Sequence, residues 1–235
     1  MVQLTPNMPY LTLRLKFYKK GSLQYISHLD LVRTMHKVIV RAKLPLWYTE
    51  GFNPKPKLIF AAPLSIGTES ECEFVDIRLV DELEPGEAMR RLNENMSDEM
   101  QVVKAYYPDA KLTDLKWLGY RMRIKTNGAD DALAKKANEL FLGDEVWVTK
   151  KARGTAAPAK MNIRPLVKSV KTEYDGKSLV VDAVLSADSS SFLNPEYIIS
   201  ALREHLGVLS DPCLTNENYS ILRQEAFRGD MSEFL

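Results

Sequence analysis

Leu11, Leu13, Leu15 and Phe17 alternate with Thr12, Arg14, Lys16 and Tyr18. This period of two predicts a strand with one buried face. After a turn at Lys20-Gly21, Ser27 reads as a helix N-cap, with Asp30 in the reciprocal capping position. Leu31, Val32, Met35, Val38, Ile39 and Ala42 then recur at helical spacing, which predicts an amphipathic helix over residues 28–43. On its opposite side Arg33, Lys37 and Arg41 stand four apart and make one basic stripe. A second strand begins at Leu46–Tyr48, is interrupted by Gly51–Lys57, and resumes at Leu58–Phe60. Pro54 and Pro56 place the interruption at a sheet edge or in a protruding loop, because neither donates to a ladder. Glu73–Val80 reads as a third strand, Pro85 opens a second helix, and Val102 to Tyr107 supplies a fourth strand. The order strand, helix, strand, strand, helix, strand is the split βαβ pattern of a ferredoxin-like domain.

The order recurs in the second half. Tyr120, Met122 and Ile124 alternate with Arg121, Arg123 and Lys125, and a helix follows from Asp130 to Leu142, closed by Gly143. Val146 and Val148 start a strand, and residues 163–174 and 178–185 read as a hairpin turning at Asp175-Gly176. Asn194-Pro195-Glu196 opens a helix that ends at Gly207, and Asn218–Phe227 closes the chain as a strand. The expected class is α+β: two tandem ferredoxin-like (βαββαβ) domains with antiparallel sheets, residues 1–114 and 115–235. Residues 149–160 have no apolar periodicity and no acid, which predicts a basic hairpin loop.

Composition narrows the class. At 235 residues, 45% hydrophobic and 27% charged, the chain suits two globular domains and not a disordered or fibrous protein. It has no apolar run of bilayer length and no signal-like N-terminus, so a cytoplasmic protein is expected. Cys72 and Cys213 lack metal-ligand spacing and read as two reduced thiols. The net charge of +1 hides blocks of opposite sign. From Arg14 to Lys57 ten basic residues face two acids, and from Glu69 to Glu99 eleven acids face three arginines. From Val146 to Thr172 there are seven basic residues and no acid. Blocks of this kind predict distinct basic and acidic surfaces, unless neighbouring elements interleave and cancel them.

Tyr25-Ile26-Ser27-His28-Leu29-Asp30-Leu31, Glu50-Gly51-Phe52-Asn53-Pro54-Lys55-Pro56-Lys57 and Ala62-Pro63-Leu64-Ser65-Ile66-Gly67 resemble the signature of the bacterial radical-SAM-linked protein family. That family is a domain of unknown function, found alone or attached to a cobalamin-binding radical SAM protein. The resemblance continues more weakly through Asn162–Pro165 and Asn194–Tyr197. It implies a bacterial cytoplasmic protein that works beside a radical SAM partner, with an RNA connection. The chain has no three-cysteine iron–sulfur motif, so it is not itself the radical SAM component. More distantly, tandem ferredoxin-like domains with a histidine near the first helix are similar to CRISPR repeat-processing endoribonucleases. Those carry a glycine-rich loop near the C-terminus; here residues 206–212 hold one glycine, which caps a helix.

The candidate nucleic-acid contacts follow from charge beside aromatic rings, since phosphates take cations while bases stack. On the first strand Arg14, Lys16 and Tyr18 share the face away from the helices, with Phe74, Asp76 and Arg78 on the third, unless that face is buried in domain packing. The remaining candidates are His28, Arg33, Lys37 and Arg41 on the first helix, Phe52, Asn53, Lys55 and Lys57 on the loop, and Lys150, Lys151, Arg153 and Arg164 in the second half. His28 would sit in the first turn of its helix, where the dipole disfavours imidazolium, as a base, a phosphate-facing donor or a packing residue. Ser27, His28 and Asp30 make no hydrolase triad, because three residues in one turn cannot align nucleophile, base and orienter. Glu69, Glu71, Glu73 and Asp76 read as a solvated acidic surface, so no metal site and no cofactor are expected. The expected function is non-catalytic RNA binding, to tRNA or rRNA, beside a radical SAM partner. The alternatives are a metal-independent endoribonuclease using His28, and a protein adaptor docking through its acidic segment.

Overall fold

The computed structural model describes residues 10–150, 159–210 and 216–235. The chain is mixed α+β, with antiparallel strand pairing and four α-helices among the described residues. It divides into two compact units between Leu112 and Thr113, with Leu235 joining the first.

The first unit contains β1 (Leu11–Lys19), α1 (His28–Arg41), β2 (Leu58–Phe60), β3 (Thr68–Leu79), α2 (Pro85–Asn93) and β4 (Met100–Tyr106). Its strands lie in the order β4-β1-β3-β2, every neighbour antiparallel. Leu13, Leu15 and Phe17 of β1 meet Val75, Ile77 and Leu79 of β3 and the Leu31, Met35, Val38 and Ile39 face of α1 in one core. Burying each such side chain contributes about 1.5–3 kcal/mol. The Ser27 hydroxyl caps α1 by accepting from the Asp30 N–H at 3.1 Å and donating to the Asp30 carboxylate at 2.7 Å. Of the strand expected at Leu46–Tyr48, only two isolated bridges form, Leu46 to Leu79 and Tyr48 to Pro56. The prolines downstream deny the ladder the donors it would need.

The second unit contains β5 (Trp117–Lys125), α3 (Asp131–Leu142), β6 (Trp147–Lys150), β7 (Ala159–Asn162), β8 (Val167–Tyr174), β9 (Leu179–Ser186), α4 (Glu196–Leu206) and β10 (Asn218–Phe227). Its main sheet runs β10-β5-β9-β8, again antiparallel. β6 and β7 form a separate hairpin, with Lys150 opposite Ala159. The strand expected to begin at Ile163 starts at Val167 instead, because Arg164–Leu166 close a 3-10 turn.

Each unit protects one sheet edge in the same way. The Asn93 amide at the end of α2 donates to the Val102 carbonyl of β4 at 2.9 Å and accepts from its N–H at 2.8 Å. Asn138 of α3 does the same with Thr172 of β8, at 2.8 and 2.7 Å. An edge peptide satisfied by its own helix is no template for another chain.

Candidate nucleic-acid interface

On the solvent side of α1, Arg33, Lys37 and Arg41 are all exposed. Beside it a loop is closed at its base by two bonds, from the Thr49 N–H to the Lys55 carbonyl at 2.9 Å and from the Lys55 N–H to the Thr49 hydroxyl at 3.1 Å. Gly51 turns the loop at φ +117°, where any side chain is strained. The tip presents Phe52, fully exposed, and Asn53, with Lys55 and Lys57 exposed on the returning limb. The loop lies close to α1: half-buried His36 is held below the ordinary imidazole value by its burial and by the charge of Lys55. Lys37, Arg41, Lys55 and Lys57 make no ion pair among the described residues, and Arg33 makes an exposed one to Asp30 at 3.2 Å. Such a pair is worth at most about 1 kcal/mol and yields readily to a phosphate.

In the second unit several cations are paired. Arg121 pairs with Asp182 at 2.7 Å, Arg123 with Asp175 at 2.7 Å, and Lys171 with Glu173 at 2.6 Å. Arg164, expected to contact nucleic acid, donates to the Gly143 carbonyl just past α3 at 3.0 Å and to the Val167 carbonyl at 2.9 Å. These bonds give it a structural role at the end of α3. Lys150 is exposed at the end of β6; Lys151 and Arg153 lie outside the described residues.

The face of the first sheet away from the helices also departs from expectation. Arg14 is 1% exposed and holds Asp76 through two bonds of 2.7 and 3.0 Å, and Phe74 is 3% exposed. Burial opposes the Arg14 charge, but the Asp76 hydrogen bond and charge outweigh it and raise its pKa. Arg14 is therefore a structural ion pair and is corrected as a surface contact. Lys16 and Tyr18 are half-buried: Lys16 stands 5.8 Å from the Phe74 ring, and the Tyr18 hydroxyl donates to the Asp98 carbonyl at 2.9 Å. The sequence reading missed Lys104, placed beside Lys16 by the pairing of β4 with β1 and 5.3 Å from the Tyr106 ring. It also missed Tyr10 and Trp47, which pack around Arg78.

His28 occupies the first turn of α1, half-buried, its ring edge-on to Phe60 at 5.2 Å; Phe60 in turn meets Phe17 at 6.4 Å. These contacts make it a bridge between helix and sheet. Much of the acidic block is engaged within the first unit. Glu69 accepts from the Gly21 N–H, Glu71 pairs with Lys20, and Glu84 caps α2 through the Gly86 and Glu87 N–H groups. Glu87 is held at a pKa of about 2 by hydrogen bonds from Arg90 and Arg91. Glu99 accepts from the Ser22 N–H and hydroxyl. Among the described residues no group of three or more His, Cys, Asp or Glu side chains is placed to hold a metal ion. No described helix is long and apolar enough to cross a membrane.

The lowered His36 pKa has a measurable consequence. The folded chain resists a proton that the unfolded chain accepts, so stability should fall as pH drops through the free imidazole value of about 6.5. In urea titrations at about pH 7.5 and 5.5, His36→Gln should lose less stability on acidification than the wild type. Equal losses would mean that His36 contributes nothing to the pH dependence.

Comparison with known proteins adds fold and family. A family model described as "Uncharacterized protein conserved in bacteria (DUF2344)" matches residues 12–195. No curated protein matches the chain. A solved structure titled "Crystal Structure of a Cbf5-Nop10-Gar1 Complex" contains a chain of similar fold, with a TM-score of 0.51 and 11% identity. The match covers 94% of the present chain and 50% of that one, so this chain spans half the length of its structural relative.

Proposed function

Since the chain belongs to DUF2344, a family of uncharacterized proteins conserved in bacteria, we propose that it is a non-catalytic RNA-binding protein of the bacterial cytoplasm that acts beside a radical SAM enzyme. One observation carries the RNA part. Four exposed cations that have no carboxylate partner among the described residues lie on two neighbouring segments: Lys37 and Arg41 on α1, and Lys55 and Lys57 on the loop that bears the fully exposed Phe52 ring. A folded surface usually pairs or disperses such charge. Unpaired cations beside an exposed ring suit phosphates and an unstacked base. Structured RNA with single-stranded loops, as in tRNA or rRNA, offers both. The radical SAM partner rests on the resemblance of the segments Tyr25–Leu31 and Glu50–Lys57, and the second of these is the loop that bears Phe52. We read both units as ferredoxin-like domains, a reading supported by their strand orders, β4-β1-β3-β2 and β10-β5-β9-β8. The engagement of Glu69, Glu71, Glu84, Glu87 and Glu99 within their own unit weighs against an acidic docking surface.

Labelled tRNA and rRNA fragments incubated with the protein in chelator at about 50 mM salt should be retained and stay intact. His28→Asn should bind within about two-fold of the wild type, because the ring packs on Phe60 and no proton transfer is asked of it. Cleavage that disappears in His28→Asn would make the protein an endoribonuclease. Failure to retain any RNA at low salt would make it a protein adaptor.

A further inference from the structure

Arg78, at the end of β3, lies across the strand pair from Thr12 of β1, on the face away from the helices. Its guanidinium carbon stands 3.8 Å from the centroid of the Tyr10 ring and 5.2 Å from that of Trp47, with the two rings 5.7 Å apart and inclined at 53°. The Trp47 N–H donates to the Arg78 carbonyl at 2.9 Å, which ties the indole-bearing segment to the strand end. Tyr10 is 42% exposed, and Trp47 and Arg78 are half-buried.

The Arg78 guanidinium makes no hydrogen bond and no ion pair among the described residues. Other arginines of the chain differ: Arg14 on the same face is bound to Asp76, Arg90 of α2 to Glu87, and Arg121 of the second unit to Asp182. Stacking against a ring occupies the face of a guanidinium and leaves its in-plane N–H donors untouched. Arg78 is thus a fork held between two aromatic rings, whose donors have no acceptor among the described residues. Its surroundings decide the ligand. Besides Tyr10 and Trp47, the near positions on this face are Thr12 and Asp76, and Arg14 neutralises Asp76. A phosphate site collects several cations or backbone N–H groups. Here, among the described residues and apart from Arg14 with its Asp76 partner, a single cation sits among rings, which favours a neutral planar ligand with two acceptors on one edge. Guanine has that edge, in O6 and N7, and arginine is its commonest bidentate reader.

We propose that Tyr10, Trp47 and Arg78 form a nucleobase site selective for unpaired guanine, in which the Arg78 fork donates to O6 and N7 while the base stacks on the exposed aromatic surface. The proposal rests on the RNA-binding reading and adds a base preference to it.

Binding of the full chain to fluorescent single-stranded octamers separates the two. Oligouridine with two central guanosines should bind about ten-fold tighter than oligouridine alone. Replacing those guanosines by 7-deazaguanosine, which removes N7 only, should abolish most of that preference. Arg78→Lys keeps the charge and loses the fork, and should bind both octamers alike. Tyr10→Ala should weaken the guanosine octamer several-fold, with thermal melts confirming that both variants are folded. Equal binding of all three RNAs by the wild type, or an undiminished preference in Arg78→Lys, overturns the guanine site and leaves RNA binding standing. No binding of any octamer, tRNA or rRNA fragment at low salt overturns both.

Discussion

Asp76→Ala should destabilise the chain by roughly 3–5 kcal/mol, because it leaves the Arg14 guanidinium charged at 1% exposure without its carboxylate. For a chain of this size that lowers the melting midpoint by about 10 °C. The cause is the stranded charge more than the lost bond, since desolvation was paid for by the pair. The double variant Arg14→Met/Asp76→Leu, which fills the space with apolar groups, should therefore recover a large part of the loss. A double variant as unstable as Asp76→Ala would place the effect in packing. No such penalty is expected at Arg121 and Asp182, which make the same fork at 2.7 and 2.9 Å but stand exposed. There Asp182→Ala should cost less than about 1 kcal/mol, because water replaces the carboxylate.

That pair also marks how far the sequence could be read. Alternation in β1 separates Leu13, Leu15 and Phe17 from Arg14, Lys16 and Tyr18, and the core follows that division. Alternation says which side a residue faces and not whether that side is wet, so Arg14 and Phe74 look like surface until their burial is known. Capping residues are legible because their chemistry is local: Ser27 before α1, Asp130 before α3 and Gly207 in the left-handed conformation after α4 are each fixed by neighbours one to four residues away. The cluster of Tyr10, Trp47 and Arg78 is not legible at all. It joins the entry to β1, an irregular segment and the end of β3, and only strand pairing brings them together. The basic helix face lies between these cases. Its stripe is plain from the spacing of Arg33, Lys37 and Arg41. Its continuation onto the loop is not, since that depends on Lys55 lying close enough to His36 to perturb it.

The largest effect on RNA is expected from that stripe. Each cation that neutralises a phosphate releases a counterion, and on single strands each contact contributes about 0.7 to the slope of log affinity against log salt. Arg33, Lys37 and Arg41 replaced together by Gln should therefore flatten the slope by about two units and, at about 0.1 M salt, weaken binding by roughly 100-fold. The loss should be similar for unrelated sequences, because phosphate contacts carry no base identity. This separates the stripe from Arg78, whose replacement by Lys should change base preference and leave the slope alone. Gln keeps the helix-forming tendency of the replaced residues, and none of the three belongs to the core, so the fold should persist. Lys135 and Lys136 are exposed on α3 of the second unit and serve as the control. Their replacement removes two charges from the chain but should change the slope little. Equal losses in stripe and control would mean that the RNA senses only total charge. An unchanged slope in the stripe variant would move the interface off α1 altogether.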